Sequence, residues 1–217
     1  MKWQNLNGRD KIQLYAGDIP LGHPQSRTHI GLSLDTENHN HIKHDITKPF
    51  LTADNSIHSF QSEDVFEHIE YEKMPDVLDE IYRVLKPGGL CRISVPDYRC
   101  DILYDRSLKT QSGELVFDPI GGGQLVIDSE TNIFTVTNGG HVWFPTYENV
   151  KNIIEKTKFS TEGKYEFLHC YYSDGVELKE VDYFLGYISR TPDHDERVKN
   201  PRRPMSIVVD LYTEEKS

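Results

Sequence analysis

The sequence has few cysteines, no long apolar run and a deficit of positive charge, and each shortage excludes a class of protein. Three cysteines in 217 residues, without C-x-x-C spacing, provide neither a disulfide framework nor a zinc cage. No stretch approaches the roughly 20 apolar residues that cross a bilayer, so we predict no membrane span. The 24 Lys and Arg residues are outnumbered by 35 Asp and Glu, and the net charge of −11 argues against a nucleic-acid partner.

The N-terminus lacks the apolar run of a signal peptide, and the unpaired cysteines suit a reducing compartment. These features predict a cytoplasmic protein. The length is that of one domain with a sizeable core, and we assign residues 1–217 to it.

Hydrophobic periodicity predicts a parallel sheet. Apolar runs of strand length, suited to strands covered on both faces, occur at residues 12–16, 30–34, 57–60 and 90–95. Between the third and fourth runs, helical spacing extends from Pro75 to Lys86 and stops at Pro87-Gly88-Gly89. Strand, helix and strand in this order form a right-handed crossover.

The rest of the chain completes an α/β fold. A second helix follows Thr146, a typical N-cap, and ends with Lys156 and Lys158 in its last turn. Two β-rich runs, 165–172 and 206–212, are expected to close the sheet. We predict a Rossmann-like, doubly wound, mostly parallel sheet with an antiparallel closing strand. Its first-half helices are shortened, because the connections 17–28 and 36–41 cannot hold a helix of three turns. A small β insertion is expected after strand five, at about residues 109–138.

The carboxyl ends of the strands are the expected ligand site, since open α/β sheets bind ligands there. A carboxylate after the second strand can accept both hydroxyls of a ribose, and one after the next strand can accept an adenine amine. The residues at the first four strand ends that we predict to contact a ligand are Tyr15, Ala16, Gly17, Leu34, Asp35, Asp45, Ile46, Ser62 and Glu63.

Two stretches, HDITKPFLTADNSIHSFQSEDVFEHI and LDEIYRVLKPGGLCRISVPDY, resemble the core of class I S-adenosylmethionine-dependent methyltransferases of the type 11-like subgroup. They share with it an Asp-Ile-x-x-Pro-Phe step, a Glu-His pair after the fourth strand and R-V-L-K-P-G-G before the fifth. The resemblance covers residues 11 to about 100 and implies S-adenosylmethionine as the cofactor.

The resemblance implies a role for individual residues. Gly17 lets the methionine part of the cofactor approach the backbone, Asp35 holds the ribose, Asp45 and Ile46 contact the adenine, and Ser62 lies on its far side. One departure concerns the Gly-x-Gly that the family usually has here. Tyr15 replaces its first glycine, and could either stack on the cofactor or narrow the pocket.

Methyl transfer to a hydroxyl requires a base within hydrogen-bond reach, because an aliphatic hydroxyl is a poor acid. The candidates near strand ends are Asp97, His141, His68 and Asp64. The acidic composition and the five aromatic residues Tyr98, Tyr104, Trp143, Phe144 and Tyr147 suit a sugar or glycan acceptor. Glycan O-methyltransferases look similar to this subgroup. The chain also resembles methyltransferase domains in larger glycan-building polypeptides of large algal viruses, which would place it in the host cytoplasm.

Three alternatives remain open. The acceptor could instead be the carboxylate or amine of a small metabolite. A dinucleotide-dependent oxidoreductase would also suit Asp35, but the G-x-G-x-x-G fingerprint is absent. A module that has kept the fold and lost turnover is the third.

Two groups of residues raise the question of a divalent cation. One is His39, His41 and His44, although strand alternation places His44 on the other face. The other combines His141 with acidic residues at four-residue spacing, Asp97, Asp101 and Asp105. A solvated acidic face explains the latter equally well, so the sequence leaves metal dependence open.

Overall fold

The fold is one large mixed sheet with helices against one of its faces. The computed structural model describes residues 1–131, 133–172, 174–199 and 202–215. The strands are β1 (Gln13–Ala16), β2 (Ile30–Ser33), β3 (His41–Lys43), β4 (Ile57–Glu63), β5 (Leu85–Pro96), β6 (Leu108–Lys109), β7 (Leu115–Phe117), β8 (Gln124–Ile127), β9 (Phe134–Thr137), β10 (Lys164–Tyr171), β11 (Val176–Leu178), β12 (His194–Lys199), β13 (Arg202–Pro204) and β14 (Ser206–Tyr212). The α-helices are α1 (Met74–Val84), α2 (Asp101–Arg106), α3 (Tyr147–Ile154) and α4 (Lys158–Thr161).

Eight of the strands form the central sheet, in the order β11-β10-β14-β5-β4-β1-β2-β3. The neighbours from β3 to β5 pair in parallel, whereas β14 is antiparallel to both β5 and β10. The predicted mostly parallel α/β sheet with an antiparallel closing strand is thereby confirmed. Because the parallel strands all end at one edge, the loops after β1 to β5 lie side by side there.

One face of the sheet carries the apolar core. Alternate residues of the central strands, such as Leu14, Phe60 and Ile93, pack with buried side chains of α1 and α3. The helix α1 buries Val77, Leu78, Ile81 and Val84. This helix joins β4 to β5 and is the crossover that the periodicity predicts.

The opposite face is polar and is covered by a segment without helix or strand, residues 179–193, here called the covering segment. Backbone groups in such a segment lack partners of their own and need them from elsewhere. The sheet supplies them: Gln61 donates to the carbonyl of Tyr187 at 2.7 Å, and Arg92 donates to the carbonyls of Asp182 and Gly186 at 2.7 and 2.8 Å. The covering segment, held by these buried polar side chains, therefore takes the place of the missing first-half helices on this face.

Arg92 is the largest of these buried polar residues, and its charge is balanced within the sheet. Asp210, on the neighbouring strand β14, accepts two hydrogen bonds from the guanidinium, both at 2.7 Å. Both side chains are almost wholly buried. Such a bidentate pair fixes the guanidinium so that its remaining donors point at the covering segment.

Several element boundaries differ from the prediction. The helix predicted to reach Lys86 ends at Val84, and β5 begins at the next residue and includes Pro87-Gly88-Gly89. Leu85 leaves the helix because it pairs with Ile57 of β4. The second predicted helix ends at Ile154, so Lys156 and Lys158 fall outside it and Lys158 begins α4.

The predicted insertion is present as two small ribbons beyond the carboxyl end of β5. β6 pairs with β7, and β8 pairs with β9, both antiparallel. Asn132, within the predicted insertion, lies outside the described residues. Among the described residues, no helix is long and apolar enough to cross a membrane.

The substitution Asp210→Asn tests the contact between the sheet and the covering segment. We expect it to lower the free energy of unfolding by about 3–5 kcal/mol, because the Arg92 charge would stay buried without its counter-charge. Urea denaturation measures this loss. Glu155→Gln, in the exposed pair with Lys151, is the control and should cost less than about 1 kcal/mol. Similar losses in the two variants would contradict the assigned role of the pair.

Candidate active site

A polar cavity of about 370 Å³ lies at the carboxyl ends of β4 and β5. Its titratable lining residues are Asp64, His68, Arg106, His141 and Arg190. A larger depression of about 540 Å³ lies at the opposite end of the strands, around Gly163 and Tyr212, and its lining contains no histidine. The smaller cavity therefore has the side chains suited to proton transfer, and three of the four predicted bases lie around it.

Asp64 follows β4 directly and is held in an unusual conformation. Its φ of 49° lies in the left-handed region, which aspartate and asparagine tolerate better than most residues. Thr191, from the covering segment, donates its hydroxyl to Oδ2 at 2.7 Å. Oδ1 is buried and has no hydrogen-bond partner among the described residues. Burial raises the pKa of Asp64 to about 6.

His141 lies at the end of a chain of hydrogen bonds. Its Nδ1 is 2.5 Å from the hydroxyl of Tyr98, which donates to Asp118 at 2.7 Å, and Arg106 donates to the same carboxylate oxygen at 2.6 Å. Because Tyr98 has one proton and gives it to Asp118, we assign the proton of the imidazole to Nδ1. This leaves a lone pair on Nε2. Burial lowers the pKa of His141 to about 4, so the ring is neutral.

The insertion closes over His141. Gly121 lies so near the imidazole that a Cβ atom built on it would come within 2.7 Å of both Cγ and Nδ1. Asp118, the carboxylate that ends the hydrogen-bond chain, comes from the same loop after β7. The insertion therefore shapes this side of the cavity.

Glu67 is a buried residue that the sequence prediction did not place in the site. Its side chain is 0% exposed, and neither carboxylate oxygen has a hydrogen-bond partner among the described residues. Oε1 is 3.5 Å from Nε2 of His141, and the ring of His68 packs edge-on against that of His141 at 4.7 Å. Burial raises the pKa of Glu67 well above its usual value.

Asp97, the fourth predicted base, does not line the cavity. It is fully buried, and its two oxygens accept hydrogen bonds from the backbone amides of Tyr171 and Arg99 at 2.8 and 3.0 Å. Burial raises its pKa to about 6. Because both oxygens are occupied, the geometry favours a structural role that joins the end of β5 to β10.

The residues predicted to contact a cofactor separate into two groups, and the first lies at the edge of the sheet. Gly17, with a φ of 80°, donates its amide to the carbonyl of Leu32 at 2.8 Å. Leu34 and Asp35 are exposed after β2, and the Asp35 carboxylate accepts no hydrogen bond from the described residues.

The next strand contributes two more residues to this edge. After β3, Asp45 accepts from the amide and hydroxyl of Thr47 at 2.9 and 2.8 Å, and Ile46 is buried. Hydrogen bonds from Thr47 outweigh the effect of burial and lower the pKa of Asp45. Ends of neighbouring parallel strands thus bring Gly17, Asp35 and Asp45 to one edge, as predicted for the fold.

The second group lies inside the protein. Ala16 and Ser62 are fully buried, and the Ser62 hydroxyl has no partner among the described residues. Tyr15 is also fully buried and donates its hydroxyl to Oε1 of Glu63 at 3.3 Å. Burial raises the pKa of Tyr15. In this arrangement Tyr15 lies beneath the covering segment, where it contacts Glu63 and Arg190.

Glu63 is the centre of the network under the covering segment. Oε1 accepts from His23 and Gln61 at 3.1 and 2.8 Å, while Oε2 accepts from the amides of Ser189 and Arg190 at 2.7 and 3.1 Å. Burial would raise its pKa, but these hydrogen bonds outweigh burial and lower it. Glu63 therefore anchors the covering segment, a role that its position after a strand does not indicate.

Arg190 connects the two parts of the site and was missed by sequence reasoning. Its Nη2 donates to the carbonyl of Asp18 at 2.6 Å, and its Nε donates to the hydroxyl of Tyr15 at 3.3 Å. It also lines the cavity beside Asp64. It lies in an irregular segment without any motif, so only the tertiary structure brings it to the site.

The groups considered for a cation in the sequence do not assemble. His41 accepts the amide of Ile19 on Nε2, and His44 packs against Trp3 and Phe50. Asp101 instead pairs with Arg203. Within the described ranges, the histidine and carboxylate groups close enough to hold an ion are Glu67, His68 and His141, and His169, Asp193 and His194.

The aromatic residues expected to stack on a sugar have other contacts. Tyr98 is buried against His141, and Trp143 donates its indole N–H to the carbonyls of Phe66 and Ile69. The cavity is lined mainly by polar groups rather than by free aromatic faces.

Comparison with known proteins agrees with the fold. Residues 26–93, less than half of the chain, match the family model described as a methyltransferase domain. No protein among curated sequences matches the chain.

Solved structures of similar fold are distant in sequence. A SAM-dependent methyltransferase from Methanosarcina mazei is 14% identical, with a TM-score of 0.50 over 98% of this chain and 97% of that one. A SAM-dependent methyltransferase from Archaeoglobus fulgidus is 15% identical, with a TM-score of 0.48 over 94% and 87%. The 1,6-didemethyltoxoflavin-N1-methyltransferase of Burkholderia thailandensis, solved with S-adenosylhomocysteine, is 9% identical, with a TM-score of 0.47 over 94% and 72%.

The similarity to the Methanosarcina mazei structure shows that the fold is the Rossmann-like fold of SAM-dependent methyltransferases. The domain match over residues 26–93 supports the same class, with S-adenosylmethionine as its cofactor. Identities this low assign no acceptor.

The substitution Gly121→Ala tests how closely the insertion packs on His141. The added methyl group must displace either the imidazole or the loop, so we expect a loss of about 1–3 kcal/mol in the free energy of unfolding. The NMR signals of the His141 ring should shift as well. Gly175→Ala is the control, because a Cβ there meets nothing within 4 Å; equal stability of the two variants would show that the insertion does not press on the ring.

Proposed function

We propose that this protein transfers the methyl group of S-adenosylmethionine to a hydroxyl oxygen of a sugar or glycan. The observation that carries the proposal is the position of Asp64. It lines the polar cavity, and the next residue, Val65, lies beside the loop after β1, with Cγ2 3.6 Å from a Cβ built on Gly17. A candidate base thus lies between the acceptor cavity and the loop that the family resemblance assigns to the cofactor.

The edge of the sheet fits this cofactor. The exposed carboxylate of Asp35, which has no partner among the described residues, can accept hydrogen bonds from ribose hydroxyls. Gly17 has no side chain, which permits a close approach to its backbone. Asp45 and Ile46 are next to them, after the neighbouring strand β3. When bound, S-adenosylmethionine supplies an electrophilic methyl group.

Asp64 is the base that the geometry favours. A pKa near 6 leaves it ionised at neutral pH while making it a stronger base than an ordinary aspartate. Thr191 holds Oδ2, and Oδ1 is left to take the proton of the acceptor hydroxyl. His141 and His68 complete the polar wall of the cavity.

The size and lining of the cavity favour a small polar acceptor. About 370 Å³ lies within the range of small-molecule sites, roughly 300–1,000 Å³. Sugars present many hydroxyl groups, which suit a wall of carboxylate, imidazole and guanidinium donors and acceptors. That the chain belongs to a larger glycan-building polypeptide stays a prediction from the sequence resemblance.

A small metabolite with a carboxylate is the second candidate acceptor. Arg106 and Arg190 both line the cavity and would attract an anion. Each is partly occupied, Arg106 by Asp118 and Arg190 by the carbonyl of Asp18. Because both guanidinium groups already donate to protein oxygens, they support an anionic acceptor less strongly than unpaired arginines would.

The substitution Asp35→Ala tests the cofactor site. We expect the dissociation constant for S-adenosylmethionine, measured by calorimetric titration, to rise on the order of tenfold or more through loss of a charge-assisted contact. Glu37→Ala is the control: it removes the same charge from an exposed position two residues away. If Asp35→Ala and Glu37→Ala have the same dissociation constant for S-adenosylmethionine, Asp35 does not contact the cofactor.

The substitution Asp64→Asn tests the base. Asparagine tolerates the same left-handed backbone, so the fold and cofactor binding should persist while turnover falls about 10²–10⁴-fold. Turnover of the unmodified protein should rise with pH through about 6 as Asp64 ionises, and the variant should lose this rise.

The assay measures S-adenosylhomocysteine and the mass of the products from a panel of monosaccharides, methyl glycosides and uronic acids. Methylation of hydroxyls supports the first acceptor class, and methyl ester formation supports the second. Asp105→Asn, an exposed aspartate on α2, is the matched control. Full turnover by Asp64→Asn would remove Asp64 from the mechanism.

A further inference from the structure

Glu67, His68 and His141 form a cluster that the proposed methyl transfer does not account for. One donor atom from each residue lies within 4.8 Å of the other two. The carboxylate of Glu67 is 0% exposed, yet neither of its oxygens has a hydrogen-bond partner among the described residues. A buried carboxylate without partners is costly, and a bound cation would offset that cost.

The backbone holds the two parts of the cluster in a fixed relation. Glu67 and His68 lie in a 3₁₀ turn, Phe66–His68, and His141 lies on a distant loop. The amide of Val142 donates to the carbonyl of Glu67 at 2.9 Å. The indole of Trp143 donates to the carbonyls of Phe66 and Ile69, at 3.0 and 2.9 Å. Three hydrogen bonds thus join the segments immediately beside the cluster.

The imidazole of His141 is oriented as a ligand. The Tyr98 hydroxyl occupies Nδ1, so Nε2 presents its lone pair to Oε1 of Glu67 at 3.5 Å. Metal-bound histidines commonly have their second nitrogen held by such a partner, which fixes the tautomer and the ring. The Asp118 carboxylate behind Tyr98 extends this support.

His68 offers a further donor. Its Nδ1 is buried and has no hydrogen-bond partner among the described residues. His68 and His141 both line the polar cavity, so the cluster is open to the cavity on that side. Three protein donors with one open direction are the arrangement of zinc sites that keep a position for water or substrate.

We propose that Glu67, His68 and His141 bind a divalent first-row transition-metal ion beside the acceptor cavity. Two imidazoles and one carboxylate suit ions such as Zn²⁺ or Co²⁺ better than Mg²⁺, which prefers oxygen ligands. Bonds of roughly 2.0–2.2 Å require donor atoms about 3.3 Å apart, so donor atoms that lie up to 4.8 Å apart must approach one another by as much as about 1.5 Å on binding. The proposal does not depend on methyl transfer.

The second cluster is a poorer site and serves as the control. His169 has both ring nitrogens against backbone carbonyls, of Asp193 at 3.0 Å and of Lys179 at 2.8 Å. Neither nitrogen is free to bind an ion. His194, in the same cluster, is more exposed and can be replaced without touching the cavity.

The test is calorimetric titration of the chelator-treated, tag-free protein with Zn²⁺ and with Mg²⁺, without cofactor or acceptor. We expect one equivalent of Zn²⁺ to bind, with Mg²⁺ at least 100-fold weaker. Glu67→Gln, which keeps the size of the side chain, should weaken Zn²⁺ binding at least tenfold. The visible spectrum of the Co²⁺ form should show four- or five-coordination and should be lost in the same variant.

His68→Gln, at a less buried position, is the second ligand variant and keeps the test decisive if Glu67→Gln does not fold. His194→Gln should leave Zn²⁺ affinity unchanged. The proposal is overturned if the protein binds no Zn²⁺, if both ligand variants bind it as the original does, or if only His194→Gln loses it. Because the readout is the ion itself, failure here is distinct from failure of the methyl-transfer assay.

Discussion

The structure depends on the covering of a polar sheet face by a segment that has no regular structure. Most sheets of this kind are closed on both faces by helices, whose backbone groups are satisfied internally. Here the connections after β1 and β2 contain no α-helix, and residues 179–193 cover the sheet instead. The backbone of that segment is satisfied by buried side chains of the sheet, chiefly Gln61, Glu63 and Arg92. The polar residues that interrupt the hydrophobic pattern of the strands are therefore the ones that hold the covering segment against the sheet.

This covering also assembles the candidate site. Glu63 binds the amide of Arg190, and this contact brings the Arg190 side chain to the loop after β1 and Thr191 to Asp64. The last residue of β4 is thus an anchor, and the residue after it is a candidate base. Neighbouring residues thus have separate roles, Glu63 in stability and Asp64 in the proposed chemistry. The left-handed backbone of Asp64 is a strained conformation that accompanies this arrangement.

Hydrogen bonding distinguishes carboxylates that would otherwise look alike. Asp97 and Glu63 are buried and have both oxygens occupied. Within the part of the chain that the structure describes, Asp64 has one oxygen without a partner and Glu67 has two. A satisfied carboxylate contributes to structure, and an unsatisfied one beside a cavity is available to a proton or an ion. The proposed base and the proposed metal site both follow from this difference, and each is tested by its own readout.

The sequence by itself determined the order of strands and helices, the shortened first half, the insertion and the edge where Gly17, Asp35 and Asp45 lie together. These features can be read from the sequence because they depend on local properties of the chain. The properties are the apolar composition of buried strands, the length of the connections and the residues that follow each strand. Only the tertiary structure decided that Tyr15 is covered, that Asp97 is occupied by two amides, and that Arg190 and Glu67 belong to the site. These outcomes depend on segments more than 70 residues apart in several cases, such as Asp97 with Tyr171. Periodicity along the chain contains no information on which distant backbone group will occupy a carboxylate, since that is fixed only when the segments pack.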